Sequence, residues 1–252
     1  MCTLGRSKTW MLNVVDSVKL WTGAFEESQS VKDLHLELAG LSLIRPFLIY
    51  NDPLFPEYIT SIKSDPNHAV LLATDGSLLT GFCHLRRVSD ALFLNNIYIA
   101  PAKRTAGLGA RLLGGALDLM KEESNQIIGL DVLDSNERAK SWYRRLGFAE
   151  SSTTAWISLG TPIGSRSHSS IEFAKDVNGF IQIYADGLHQ GTRLGRYAIV
   201  THPETINLLG NRDFDDVASR VPSSDVPRGH RVLETSIRMH AVVDEVSDRL
   251  LE

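Results

Sequence analysis

The sequence predicts an α/β fold: a mixed central β-sheet flanked by helices, with a small C-terminal α+β appendage. Three observations predict it. The apolar period changes from helical to alternating near residue 68, and back to helical near residue 107. A mostly apolar run, QIIGLDVL (126–133), reads as a buried parallel strand between two helices. GTPIGSRSHSS (160–170), rich in Gly, Pro and Ser, then divides the chain. The predicted organisation is a main domain over 1–160, a linker over 161–170, and a C-terminal α+β domain of unassigned role over 171–252.

The first 65 residues read as helical with breaks. Leu34, Leu38 and Leu41 recur at helical intervals in VKDLHLELAGL, and LFPEYITSIK between two Pro-containing turns predicts a short helix. HAVLLA (68–73) and LLTGFCHLRR (78–87) around Asp75-Gly76 predict a hairpin. ALFLNNIYIA (91–100) predicts a third strand, stopped by Pro101. Asn95 and Asn96 are poor strand formers and predict a bulge or a polar contact there. From Gly107 the period is helical, with Leu108, Leu112, Leu113, Ala116, Leu117 and Met120 on one face. After QIIGLDVL, Asp134 with Glu137 three residues on predicts a capped helix start. Ala139, Tyr143 and Leu146 lie along one side of that helix, and Gly147 ends it. FAESSTTAWISL (148–159) predicts one or two closing strands. In the C-terminal part GFIQIYADG and RLGRYAIV predict a hairpin, DFDDVASRV and IRMHAVVDEVSDRLL two helices, and VPSSDVPRGH (221–230) a mobile loop. LLATDGSLLTGF and IQIYADGLHQGTRLG share a faint likeness around Asp-Gly, which weighs little as evidence of a repeat because such hairpins are common.

Composition narrows the function. The net charge of −4 carries no nucleic-acid footprint, which needs clustered Lys and Arg. No apolar run approaches membrane-spanning length, and MCTLGRSKTW does not read as a signal peptide. Cys2 and Cys83 form neither a disulfide framework nor a zinc spacing, which suits a reducing, cytoplasmic setting.

The chemistry concentrates in residues 92–148. KRTAGLGARLL (103–113) joins a strand to a helix whose first turn holds Gly107 and Gly109. The first N–H groups of a helix lack internal partners and, with the helix dipole, favour an anion. Glycine lets a phosphate approach the backbone, and Arg104 adds charge or pins the loop. By itself the pattern reads equally as a pyrophosphate cradle or a tight strand-to-helix turn. A dinucleotide fold needs a third glycine earlier than Gly114 and Gly115 stand, and a nucleotide-triphosphate loop needs Gly-Lys-Ser/Thr, which is absent.

FLNNIYIAPAKRTAGLGARLL, followed one strand later by DSNERAKSWYRRLGF, resembles the GCN5-related N-acetyltransferase (GNAT) family. Its loop pattern Gln/Arg-x-x-Gly-x-Gly/Ala is matched by Arg104, Thr105, Ala106, Gly107, Leu108 and Gly109. Its later Asn…Ala…Tyr…Gly-Phe is matched by Asn136, Ala139, Tyr143, Gly147 and Phe148. The resemblance spans about residues 10–160 and implies a GNAT-like sheet with acetyl-CoA, or another acyl-CoA, as cofactor. It implies that the backbone of Ile97, Tyr98 and Ile99 pairs with the pantetheine arm. An amide near Ile99 would polarise the thioester, the amides of 105–109 would hold the pyrophosphate, and Asn136 would contact the pantetheine. Tyr143 would be the general acid. The acetyl group would pass to a primary amine of a small molecule or of a peptide or protein, by direct attack on the thioester.

One departure matters. Many members carry a Glu in the central strand near Asn95 or Asn96, and Asn cannot accept a proton. A water chain, an acid or a histidine elsewhere then has to serve. His84 lies on the neighbouring strand, where a structural role is the commoner one. A non-catalytic acyl-CoA-binding regulatory module is the alternative function. Glu26, Glu27 and Glu37 could recognise a cationic amine or simply form a solvated helix face. Cys83 has no evident nucleophile partners. The C-terminal part could cover the acceptor site, serve a homodimer, or be a degenerate relative of the first domain.

Overall fold

The computed structural model describes residues 16–21, 25–104, 107–121, 126–162, 170–210 and 212–251. Among the described residues twelve strands form one sheet: β1 (Asp16–Leu20), β2 (His68–Asp75), β3 (Leu78–Val88), β4 (Ala91–Ile99), β5 (Ile127–Leu133), β6 (Ala149–Gly160), β7 (Ile171–Lys175), β8 (Ile181–Ala185), β9 (Leu188–Leu194), β10 (Tyr197–Val200), β11 (Asp216–Pro222) and β12 (Arg231–Val242). Among the described residues six α-helices accompany them: α1 (Phe25–Ala39), α2 (Phe55–Ser61), α3 (Leu108–Met120), α4 (Glu137–Arg145), α5 (Ile206–Leu209) and α6 (Val243–Arg249). The strand order is β1-β2-β3-β4-β5-β12-β6-β11-β10-β9-β8-β7.

The two faces of the first half carry different layers. On one, Leu108, Leu112, Leu113, Ala116 and Leu117 of α3 pack with Leu71, Cys83, Leu85, Leu92 and Leu94, and Tyr143 and Leu146 join them from α4. On the other, Val31 and Leu34 of α1 and Phe55 and Ile59 of α2 cover Val70, Leu72, Phe82 and Tyr98. Alternation along β3 and β4 sends successive side chains to opposite layers.

Several sequence expectations are corrected here. The first 65 residues are not purely helical: DSVKL is β1, paired antiparallel to β2. DFDDVASRV is not a helix: its latter part is β11, where Val217 and Val221 are buried. IRMHAV belongs to β12, and only VDEVSDR is helical, as α6. Ile237, Met239 and Ala241 alternate with Arg238 and His240, a period of two that a helical count absorbed. GFIQIYADG and RLGRYAIV are not the two arms of one hairpin: β8 pairs β9, and RLGRYAIV itself turns from β9 into β10. Asp134 does not cap α4. The N-cap is Asn136, whose side chain accepts from the Ala139 N–H at 3.1 Å, while Asp134 binds Lys140 Nζ at 2.6 Å.

The sheet has an internal two-fold plan. In the first half β1 to β4 pair antiparallel in series, β4 and β5 run parallel, and β5 pairs antiparallel with β12. In the second half β7 to β10 pair antiparallel in series, β10 and β11 run parallel, and β11 pairs antiparallel with β6. Each half therefore receives its next strand from the other, and β6 and β12 meet at the centre. The Asp75-Gly76 and Asp186-Gly187 turns occupy equivalent positions in this plan.

The halves differ in what joins the strands. The 13-residue α3 lies between β4 and β5, but the four-residue α5 lies between β10 and β11. α4 joins β5 to β6, where only a 3-10 turn (Ser223–Asp225) joins β11 to β12.

Candidate functional site

β4 pairs with β5 at three positions only, Leu92↔Ile128, Phe93↔Gly129 and Leu94↔Leu130. Beyond Leu94 the two strands part. β4 continues against β3 as far as Ile99, while β5 continues against β12. The register of β3 and β4 shifts between His84 and Leu85, so that His84 faces Asn96, Leu85 faces Leu94, and Asn95 is bulged out of the ladder. Asn95 is thus the first residue past the fork.

The edge of β4 past the fork is a strand edge with one side paired. The Ala100 N–H donates to the Thr80 carbonyl on the β3 side. By alternation Ile97 and Ile99 turn their own N–H and C=O groups toward the gap. The Arg104 Nε–H donates to the Ile99 carbonyl at 2.8 Å, and its guanidinium lies 5.7 Å from the centre of the Tyr98 ring. Arg104 therefore pins the loop to the strand. Tyr98 turns to the opposite face, where its hydroxyl donates to Glu37 at 2.7 Å.

Gly107 is the N-cap of α3, with φ of 67° and ψ of 9°. That left-handed conformation is what requires glycine, because space for a Cβ is open there. Gly107 has no side chain to cap the helix, and the first intrahelical bond runs from Arg111 N–H to the Gly107 carbonyl. The N–H groups of Leu108, Gly109 and Ala110 therefore have no partner within the helix. Leu108 is buried and anchors the turn in the core. Thr105 and Ala106 lie outside the described residues. A Cβ built on Gly109 would meet Trp142 at 3.5 Å and Ile99 at 4.0 Å. The first turn of α3, the end of β4 and α4 therefore converge. Trp142 escaped the sequence reading. Its only signal was its place beside Tyr143.

Tyr143 is buried, its ring 5.6 Å from Phe148 and 5.2 Å from Trp142. Burial pushes its phenol pKa well up, and the Cys83 thiol adds to that. Cys83 stands opposite Ile97 in the ladder. The buried Cys83 thiol is itself pushed far up by burial. Asn136 is exposed at the start of α4, and its side-chain oxygen serves as the cap described above.

The face opposite α3 carries polar groups that the sequence did not connect. The Asn96 Nδ2–H donates to the Tyr50 hydroxyl at 2.8 Å. His35 Nδ1 lies 2.8 Å from the Val31 carbonyl, and its ring stacks on Phe82 at 4.0 Å. Burial lowers the His35 pKa to about 4. His84 lies 2.9 Å from His68 and 3.3 Å from Asn95. Asp131 binds Arg238 of β12 through both carboxylate oxygens, and Arg238 lies 5.0 Å from the Phe93 ring centre. Glu27 is taken by Lys19, and the side chain of Glu26 lies outside the described residues. Among the described residues no group of three or more His, Cys, Asp or Glu could hold a metal ion, and no helix is long and apolar enough to cross a membrane.

Residues 36–148 match the acetyltransferase (GNAT) family. Over 76 residues it is 34% identical to the [ribosomal protein bS18]-alanine N-acetyltransferase of Haemophilus influenzae, covering 30% of this chain and 51% of that protein. It is 38% identical over 91 residues to the mycothiol acetyltransferase of Acidimicrobium ferrooxidans, covering 33% of this chain and 28% of that one. The chain spans about half the length of the bS18-alanine relatives it matches. In fold it is similar to a tandem GNAT protein from the clavulanic acid biosynthesis pathway, with a TM-score of 0.66 at 10% identity over 90% of this chain and 98% of that one. A GCN5-related N-acetyltransferase from Sphaerobacter thermophilus gives a TM-score of 0.61 at 11% identity, over 92% and 97% of the two chains.

Proposed function

We propose that this protein is an acetyl-CoA-dependent N-acetyltransferase acting on a primary amine of a small molecule or of a peptide or protein. The observation that carries the reading is the fork: β4 leaves β5 after Leu94, and its open edge runs straight to the uncapped first turn of α3. The residues fit an acyl-CoA. A pantetheine amide chain needs strand-edge donors and acceptors, which the Ile97 N–H and C=O and the Ile99 N–H offer, the Ile99 carbonyl being taken by Arg104. A pyrophosphate needs backbone N–H groups at a helix N-terminus, which Leu108 and Gly109 offer beside Arg104. Acetyl-CoA, when bound, supplies an activated acyl group as a thioester.

The chain's own residues would do the rest. The Ile97 N–H, fixed in the strand near the fork, would donate to the thioester carbonyl and stabilise the negative charge that develops there. Tyr143, held neutral by burial, gives its proton to the leaving sulfur. Relatives named for an alanine of a ribosomal protein and for mycothiol support leaving the acceptor as an amine of a peptide or protein or of a small molecule. The second half does not repeat the site. β10 is paired along its whole length on both sides, leaving no fork, and the four-residue α5 starts at Thr205 rather than at a glycine.

Calorimetry with acetyl-CoA, followed by CoA-thiol release with a panel of amines, tests the proposal. Micromolar binding with amine-dependent release supports it. Binding with no release from any amine would instead favour a non-catalytic acyl-CoA-binding module, the reading that Asn95 and Asn96 motivate.

A further inference from the structure

An amine that attacks a thioester must shed a proton, and neither Asn95 nor Asn96 can take it. Resting on the acyltransferase reading, we propose that His84 and His68 form a proton relay from the head of the slot to Asp65 at the surface.

Four groups stand in line. Asn95 Nδ2 is 3.3 Å from His84 Nδ1, His84 Nε2 is 2.9 Å from His68 Nδ1, and His68 Nε2 is 3.9 Å from Asp65 Oδ2. One arrangement of protons satisfies the line. The Asn95 amide nitrogen only donates, so His84 Nδ1 is the bare nitrogen and Nε2 carries the hydrogen. His68 Nδ1 then accepts, and His68 Nε2–H points to the carboxylate. Exposure rises along the line: His84 is 2% exposed, while the side chains of His68 and Asp65 are 14% and 41% exposed. The line therefore leads from the interior to water.

It starts in the right place. Asn95 is the bulged residue next to the last β4–β5 pair. From Ile99, beside the phosphate cradle, four residues of strand at about 3.3 Å each reach back roughly 13 Å to Asn95. That is about the span of a pantetheine arm laid along the edge, so its thioester end comes to the bulge.

The step balances. The amine nitrogen attacks the thioester carbon, a C–N bond forms and the C–S bond breaks. The nitrogen's proton goes to His84 Nδ1, displacing the Asn95 amide. His84 Nε2–H passes to His68 Nδ1, and His68 Nε2–H to Asp65 and water. Tyr143 protonates the sulfur and is reprotonated from solvent. The groups facing His84 are His35 from α1, His68 from β2, and Arg86 and Asn95 from β3 and β4. Burial, with His68, His35 and Arg86, holds His84 well below the ordinary histidine range, and burial also lowers His68. Burial thus favours the neutral form of both rings, and the rising exposure from His84 to Asp65 gives the proton a way out to water.

The test uses the full-length protein with acetyl-CoA, an amine panel that includes alaninamide and simple alkylamines, and the variants His84→Gln, His68→Gln and Asp65→Asn. Glutamine at 68 still accepts from His84 but cannot pass a proton on. The expected result is acetyl-CoA affinity within twofold of wild type, kcat reduced about 100-fold in H84Q and about 10-fold in H68Q, and the acidic limb of the kcat–pH profile changed in both. Unchanged kcat and pH profile in H68Q, with acetyl-CoA bound normally, overturns the relay even where H84Q does not fold. Tight acetyl-CoA binding without release from any amine also overturns it. Failure of the wild-type protein to bind acetyl-CoA is a different result and sinks the acyltransferase reading itself.

Discussion

Tyr143 and His35 are both buried rings with displaced pKa values, and they carry opposite consequences. Burial keeps the Tyr143 phenol protonated across the working pH range, so it is a donor and never a base. Tyr143→Phe retains the packing on Phe148 and removes only the proton. We expect kcat to fall about 100-fold with acetyl-CoA affinity unchanged, measured by CoA release and calorimetry. His35 is buried neutral with its pKa lowered to about 4. The unfolded chain takes up that proton near pH 6.5, so between pH 6.5 and pH 4 the unfolded state binds more protons than the folded one. Stability is therefore lost as pH falls through that window, by about 3 kcal/mol from this group, and His68 and His84 act in the same direction. Urea titrations at pH 7 and pH 4.5 read the loss, and His35→Phe should shrink it. Tyr143 was legible because its motif is local. The histidine line was not: His68 and His84 are 16 residues apart and meet only because β2 and β3 pair. Asn136 was legible as a residue, but its cap role required the exact start of α4.

At the scale of elements, the loop from β4 into α3 divides its glycines by task. Gly107 is needed for its left-handed φ, with open space around it. Gly107→Ala should cost about 1 kcal/mol of stability and weaken acetyl-CoA binding, because relieving the strain moves the first N–H groups of α3. Gly109 has room at 3.5 Å or more, so Gly109→Ala should leave the fold intact, and thermal melts with and without acetyl-CoA separate the two. The strand β4 was readable from its β-rich run, and its bulge from two asparagines in the middle. The fork was not readable, since it depends on where β5 stops pairing. β12 was misread for a related reason. IRMHAVVDEVSDRLL joins a strand to a helix without a glycine or proline between them, so the helical end coloured the whole stretch.

The whole molecule joins its halves by exchanging strands, and this sets how it can be divided. β12 lies between β5 and β6, giving backbone pairs on both sides and burying Leu233, Ile237, Met239 and Ala241. The Gly/Pro/Ser stretch marked a change of composition at 161–170, but no signal local to residues 231–242 says that their partners are residues 127–133. Losing β12 exposes strand edges on β5 and β6 and removes four buried apolar side chains, three of them large. At about 1.5–3 kcal/mol each, that is comparable to the 5–15 kcal/mol that holds a domain together. A chain ending at residue 162 should therefore fail to fold, although it contains the whole span that matches the acetyltransferase family. Residues 163–252 alone lack β6 and should fail as well. Produced together, the two pieces should purify as one complex of native size and bind acetyl-CoA. Size-exclusion chromatography and near-ultraviolet circular dichroism of each piece and of the pair provide the measurement. A cooperatively folded 1–162 fragment would mean that β5 and β6 can close the first half without the strand from the second.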